Sequence, residues 1–187
     1  MIQRLKQVLV IYATSSGCTA TIARRIADDL IGFAANPTVV SMIEMPSINK
    51  DFDAVIFGSG MRLGKWHKEA RVWMQNNFDY LVRVPVACFS VGLLSANEHE
   101  SAQAQAQREL ESQVSATGGI HPVGMVALPG WKRNEGFTKM EQIALRVYPL
   151  GDGDYRDWDK VDEWVLQVTP KLIGNLPQVN NSLGSLI

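Results

Sequence analysis

The sequence predicts an α/β fold, a doubly wound five-stranded parallel sheet covered by helices on both faces. Three observations carry that prediction. Apolar runs of strand length alternate with stretches of helical period, the order that builds strand–helix–strand units. Three of the runs, Val8–Tyr12, Ala54–Phe57 and Val86–Val91, are almost continuously apolar, as strands buried on both sides must be. No internal repeat or linker breaks the pattern, so one domain over residues 1–176 is expected, with a tail over 177–187.

Each element has its own signal. The first strand, Val8–Tyr12, is followed by Ile22, Ile26 and Leu30 at four-residue intervals, with Arg24, Arg25, Asp28 and Asp29 facing away. That is an amphipathic helix, with Thr19 expected as its N-cap and Gly32 as its stop. Strands are expected next at Val39–Ile43 and Ala54–Phe57. Ala70, Trp73, Met74 and Phe78 mark a second helix, and Val86–Val91 a fourth strand. Between Glu100 and Thr117 a thin stripe of Ala102, Ala106, Leu110 and Val114 runs to a stop at Gly118-Gly119. A weaker fifth strand covers Val123–Leu128. The last helix starts at Asp157 and buries Val161, Trp164, Val165, Val168 and Leu172. Only the long connection from Pro129 to Asp157 departs from the alternation.

Composition excludes some functions. With 18 Lys and Arg against 19 Asp and Glu, the net charge of −1 provides no field for nucleic acid. The two cysteines, Cys18 and Cys88, form no C-x-x-C pair and have no metal-ligand spacing with the three histidines, so no metal is expected. That usage fits a reducing compartment, and the cytoplasm is the expected location. No apolar stretch is long enough to span a bilayer.

The first strand leads into Thr14-Ser15-Ser16-Gly17-Cys18-Thr19. In an open parallel sheet, ligands bind beyond the carboxyl ends of strands where the strand order reverses, and this loop falls there. Small hydroxylic residues and a glycine let the backbone curl with several N–H groups inward. Those donors, the hydroxyls and the positive end of the helix suit a phosphate. Neither G-x-x-x-x-G-K-[ST] nor G-x-G-x-x-G occurs, which argues against a nucleotide P-loop and weakens a dinucleotide reading. A plain strand–helix turn draws on the same residue types, and the loop alone leaves both readings open.

The loop resembles the FMN phosphate loop of flavodoxins, Thr/Ser-x-Thr/Ser-Gly-x-Thr, and like it lies between a strand and a helix. The resemblance implies a flavodoxin-like sheet of strand order 2-1-3-4-5. It also implies non-covalent FMN, its phosphate on Thr14, Ser15, Ser16, Gly17, Cys18 and Thr19. A remote alternative is a cysteine phosphatase, because Cys18 to Arg24 has Cys-x5-Arg spacing. Such an enzyme wraps the five intervening residues around phosphate, whereas here they read as helix with Arg24 on the polar face.

Two later loops are the expected ring site. Gly58-Ser59-Gly60-Met61-Arg62-Leu63-Gly64-Lys65-Trp66-His67 provides glycines, a cation, a large ring and an imidazole. A flat isoalloxazine needs an apolar face, backbone groups for its polar edge and little bulk at N5. The plainer alternative packs Trp66 on the sheet and uses His67 to cap the next helix. After the fourth strand, Ser90, Val91, Gly92, Leu93, Leu94, Ser95 and Ala96 precede a helix capped near Asn97. The resemblance implies that these residues hold the ring together with Ser59, Gly60, Met61, Arg62, Gly64, Trp66 and His67. Backbone N–H groups around Gly92–Ala96 would meet its N1/O2 edge.

Ser59 to His67 is further similar to the Ser-x-Arg-x-Gly-x-x-His stretch of menaquinone-dependent protoporphyrinogen dehydrogenases, with one extra residue before Arg62. Phe89-Ser90-Val91-Gly92-Leu93 is similar to that family's aromatic-Ser-Val-x-Leu, and "DYRDWDKVDEW" resembles its acidic entry into the last helix. The resemblance implies an FMN-dependent oxidoreductase that oxidises protoporphyrinogen with a quinone-type acceptor. Flavin N5 does the chemistry, and Arg62 and His67 are the candidates to orient substrate or tune potential. The partner is then a small molecule or a redox protein. Trp131, Lys132 and Arg133 are expected at a mouth for an anionic tetrapyrrole or a quinone. Phe137, Met140, Ile143 and Val147 form a helical stripe that either covers the sheet or touches a membrane surface peripherally. The alternative is a flavodoxin-type electron carrier without its own substrate. Such carriers are usually strongly acidic, whereas this chain is near neutral and places Arg62, Lys65 and Lys68 by the presumed ring edge.

Overall fold

A computed structural model of the protein describes residues 4–132 and 150–174. Five long strands form the sheet: β1 (Lys6–Ala13), β2 (Ala35–Ser41), β3 (Ala54–Arg62), β5 (Val86–Gly92) and β6 (Gly124–Pro129). They lie parallel in the spatial order β2-β1-β3-β5-β6, while the two-residue β4 (Lys65–Trp66) folds back antiparallel on β3. Without that short return, this is the expected order 2-1-3-4-5. The order reverses between β1 and β3, so their carboxyl ends open the crevice where an α/β sheet takes its ligand.

Alternate residues of β1 divide the core. Val8 and Val10 pack under α1 (Cys18–Gly32) and the last helix α5 (Trp158–Ile173). Leu9 and Ile11 pack under α2 (Lys68–Asn76), α3 (Phe78–Leu81) and α4 (Glu100–Ser115). All four side chains are fully buried, which explains the unbroken apolar run. The helical stripes fall where the period puts them, including Ile22, Ile26 and Leu30 on α1 and Leu110 and Val114 on α4. Asp157 caps α5 by accepting from the Lys160 N–H at 2.9 Å.

Three boundaries differ from the sequence expectation. The second strand lies at Ala35–Ser41 rather than Val39–Ile43. Pro37 enters it because β2 is an edge strand, where a missing N–H costs no ladder bond. Ser41 then accepts from the Glu44 and Met45 N–H groups, so the chain turns and leaves Ile43 exposed. α1 starts two residues early, with Gly17 rather than Thr19 at the N-cap, and Thr19 is buried inside the first turn. Finally, the pliable loop expected after Phe57 is strand, which continues to Arg62 and doubles back through Lys65–Trp66.

One close approach and one charged cluster hold the layers in place. A Cβ on Gly58 would lie 2.4 Å from the ring of the fully buried Phe89 on the neighbouring strand. On that same face, Arg25 of α1 makes a two-pronged pair with Asp162 of α5 and also reaches Asp29 at 3.4 Å. Burial, and then the adjacent Asp162 charge, push the Asp29 carboxyl up to about 6. Arg133, the Phe137–Val147 stripe and the tail after Leu176 lie outside the described residues. Among the described residues no helix is long and apolar enough to cross a membrane.

Two outcomes are expected. Gly58→Ala should cost about 1–3 kcal/mol in urea unfolding, because the Phe89 ring must leave its rotamer or the strands must part. Asp29 binds its proton more tightly folded than unfolded, so its contribution to stability falls as pH rises from about 4 through about 6. Asp29→Asn should therefore gain on the wild type in urea midpoint between pH 4.5 and pH 7.5; an unchanged difference counts against this assignment.

Candidate functional site

At the carboxyl end of β1 the backbone makes a tight turn into α1. Gly17 adopts φ +84°, a conformation that costs a side-chain-bearing residue about 1–2 kcal/mol. No side chain caps the helix, so its first N–H groups have no capping acceptor and the positive end of α1 faces the loop.

The three hydroxyls before Gly17 share one arrangement. Thr14 Oγ1 accepts from the Gly17 N–H at 3.0 Å. Ser15 Oγ accepts from the Arg62 guanidinium at 2.6 Å, and Ser16 Oγ accepts from the Trp131 indole N–H at 3.2 Å. Arginine and indole can only donate, which fixes the direction of the last two bonds. Each hydroxyl thus spends a lone pair on the protein and keeps its single proton for something else. Among the described residues none of the three donates to a protein acceptor. Three consecutive O–H groups, an uncapped helix terminus and an arginine are together the kind of donor set that suits an anion.

The sequence did not point to two of these donors as loop residues. Arg62, expected near a ring, instead reaches the loop from the end of β3. Trp131, expected at an outer mouth, lies over the loop, its ring 3.8 Å from where a Gly17 side chain would begin. Arg156 was not singled out at all. It stacks on Trp131 at 4.6 Å and on Trp158 at 4.7 Å, and donates to Thr21 Oγ1 on α1 at 2.8 Å. Its remaining donors hold Asp154, which keeps the guanidinium firmly charged.

The second and third predicted loops converge beside it. Ser59 is fully buried at the end of β3, and its Oγ accepts from the His67 N–H at 3.1 Å. The His67 ring packs against Gly60, where an added Cβ would lie 2.9 Å from Nε2 and 3.4 Å from Thr19 Oγ1. His67 precedes α2 without a side-chain capping bond, so the capping alternative does not describe it. The chain between them turns through Leu63 at φ +49° and Gly64 at φ +72°, the primed geometry of a two-residue hairpin. Leu63 is 69 % exposed at the tip despite its strained backbone.

Trp66 is a correction. It is 2 % exposed, packed edge-on against Phe57 at 5.9 Å, and offers no face to a ligand. Pairing with Met61 in the hairpin turns its side chain under the sheet, the plainer of the two readings the residues allowed.

Between the hairpin and the loop after β5 runs a narrow cleft of about 30 Å3, lined by Met61, Leu63, Gly64, Ser90, Gly92 and Ser95 among others. Leu94–Ala96 forms one 3-10 turn along its wall. The space is water-sized, so a flat ring system requires the two loops to part. Between α2 and the end of α4 lies a wider groove, about 460 Å3, lined by Lys65, Lys68 and Arg71 with Gln75, Gln113 and Thr117, and by no carboxylate among the described residues.

Cys18 is the first residue of α1, 5 % exposed, with its sulfur in the core beside Gly130. Thr19–Arg24 is helix, and Arg24 is exposed, so the Cys-x5-Arg stretch does not wrap an anion. Cys88 is fully buried within β5, and burial pushes its thiol well up from the usual range. Among the described residues no cluster of histidine, cysteine or acidic side chains has metal-binding geometry.

Comparison with known proteins gives the same architecture. The family model described as Flavodoxin domain matches residues 9–130. No curated protein matches the chain. Among solved structures, oxidised Flavodoxin 2 from Bacillus cereus superposes with a TM-score of 0.55 at 19 % identity, over 88 % of this chain and 99 % of that one. A short-chain flavodoxin associated with a non-canonical PDU bacterial microcompartment gives 0.55 at 11 % identity, over 90 % and 99 %. Rubredoxin oxygen:oxidoreductase from Desulfovibrio gigas gives 0.54 at 12 % identity, over 89 % of this chain but 36 % of that one. At these identities the likeness is one of fold.

Both thiols should resist Ellman's reagent in the native protein and titrate as two per chain only on unfolding. Rapid native labelling of Cys18 would show that the start of α1 opens.

Proposed function

The chain belongs to the flavodoxin domain family, and from that premise we propose that it is an FMN-dependent oxidoreductase that works beside its flavin on an anionic substrate. The cofactor is FMN. The observation that carries the assignment is the row Thr14, Ser15, Ser16, each hydroxyl fixed as an acceptor with its proton free for a phosphate. The fit extends to charge, because a phosphate dianion there meets the Arg62 guanidinium and the α1 terminus.

In this reading Cys18 and Thr19 contribute backbone N–H groups to the phosphate, and Gly17, whose N–H is held by Thr14 Oγ1, turns the chain toward it. The ring lies between Ser59–His67 and Ser90–Ala96, with Leu63 and Leu94 parting to admit it. Bound there, FMN supplies hydride and single-electron chemistry at N5. The chain's own residues hold and orient. Ser59 fixes the His67 backbone, and His67 and Gly60 shape the end of β3 without bulk. The Gly92–Ala96 backbone faces the polar edge of the ring.

Lys65, Lys68 and Arg71 favour a substrate bearing carboxylates. Porphyrinogen oxidation with a quinone-type acceptor is the specific reaction we propose, its acidic side chains held in that groove. Trp131 and Lys132 do not serve as its mouth, since Trp131 covers the phosphate loop and Lys132 Nζ bonds the Leu150 carbonyl at 2.6 Å. The second reading is an electron carrier that docks an acidic protein at the same cations. Either role suits a cytoplasmic protein.

Protein reconstituted with FMN should be yellow, and Arg62→Gln should weaken FMN by roughly tenfold while leaving riboflavin nearly unchanged. A colourless preparation that binds no flavin would overturn the assignment. An anaerobic porphyrinogen assay with a menaquinone analogue separates the two readings: turnover marks the oxidase, and flavin reduction only by a protein donor marks the carrier.

A further inference from the structure

The outer wall of the phosphate loop comes from the distant end of the domain. Trp131 opens a two-stranded ribbon, β7 (Trp131–Lys132) with β8 (Gly153–Asp154). The ribbon joins the sheet through Gly130, whose N–H bonds the Gly92 carbonyl and whose carbonyl accepts from the Tyr155 N–H at 3.1 Å. Arg156, two residues beyond β8, enters between the faces of Trp131 and Trp158. Guanidinium stacking on two indoles is favourable on each face, and it fixes the plane of both rings. Arg156 is also pinned by Asp154 on one side and by Thr21 of α1 on the other.

The result is an indole with little freedom whose only polar group points at Ser16. An anion drawn to the Ser16 proton arrives next to the Trp131 N–H, which can then divide its hydrogen bond between Ser16 and the anion. A neutral hydroxyl at the same place gains far less, because bonds to charged groups are about twice as strong.

We propose that Trp131 is a phosphate-binding residue, held in position by Arg156, and that it makes the chain select phosphorylated over unphosphorylated flavin. This rests on the flavin reading above. Trp131 acts on the anion directly, whereas Arg156 is a positioning residue that acts through the indole plane.

The experiment is a pair of titrations, FMN and riboflavin, followed by quenching of flavin fluorescence. Trp131→Phe keeps an aromatic ring for Arg156 to stack on and removes the N–H together with one ring of the indole, a packing change that both flavins would feel alike. It should weaken FMN by roughly tenfold and riboflavin by less than about twofold, as expected for one charged hydrogen bond. Arg156→Gln should lower the FMN-to-riboflavin preference in the same direction, and Arg156→Lys should restore part of it. Equal losses for the two flavins would reduce Trp131 to a structural wall and overturn the proposal, as would an unchanged FMN affinity in Trp131→Phe. Should the variants fail to fold, the wild-type indole N–H resonance of Trp131 decides: it should move downfield with FMN and stay in place with riboflavin, and no movement with FMN counts against it. If wild-type protein binds neither flavin, the flavin reading itself has failed. If it binds both with no Trp131 dependence, only this inference has.

Discussion

Everything at the ligand end of the sheet depends on an uncapped helix. In most helices a side chain at the N-cap satisfies one of the free N–H groups, and the terminus is then partly spent. Here the N-cap is Gly17, in a left-handed conformation that a side chain would resist, and the neighbouring hydroxyls are engaged elsewhere. The cost of leaving donors unsatisfied is modest at a half-exposed loop but real. An anion bound there, as proposed above, would offset it. The same choice explains why Thr19, whose residue type suits a cap, is buried in the first turn instead.

The second constraint is the close approach of strand ends. β3 must pass Phe89 at Gly58 and His67 at Gly60, then turn back within two residues. Those contacts bring the third strand's end against the loop after β1, and they put Arg62 within reach of Ser15. A longer, looser connection at Leu63-Gly64 would leave the guanidinium free to wander. The strained Leu63 backbone belongs to this arrangement, because strain persists only where the surroundings over-determine it.

Much of this was legible in the sequence, and the pattern of misses has a physical cause. Continuous apolar runs and four-residue stripes report burial on a local scale, so the strands and the helix faces came through, while the strand order came from the likeness of the loop after β1 to that of flavodoxins. The hydroxyl-rich loop could be located between β1 and α1 because its residues are adjacent in the chain. Trp66 failed because an aromatic side chain between Lys65 and His67 reads as exposed until a hairpin turns it inward, and the turn contains Leu63 where a glycine or asparagine would have signalled it. The edge strand slipped because Pro37 argues against a strand unless the strand is known to be at an edge. Arg156 carries no local mark, and nothing local ties Trp131 to the loop after β1. Their partners Ser16 and Thr21 are 115 and 135 residues away, and only the folded sheet brings them together.

That last separation has a consequence for how the protein is made. A ribosome delivers the hydroxyl loop early and the Trp131–Arg156–Trp158 stack late, when nearly all of the domain has emerged. Until then the loop lacks its wall, and closing so long a segment is the slow kind of step in folding. The nascent chain therefore passes through a period in which the sheet can assemble around α1 while the loop after β1 stands open on one side. Growth from the amino terminus and completion of the binding site are separate events, and the last strand and helix determine when the second occurs.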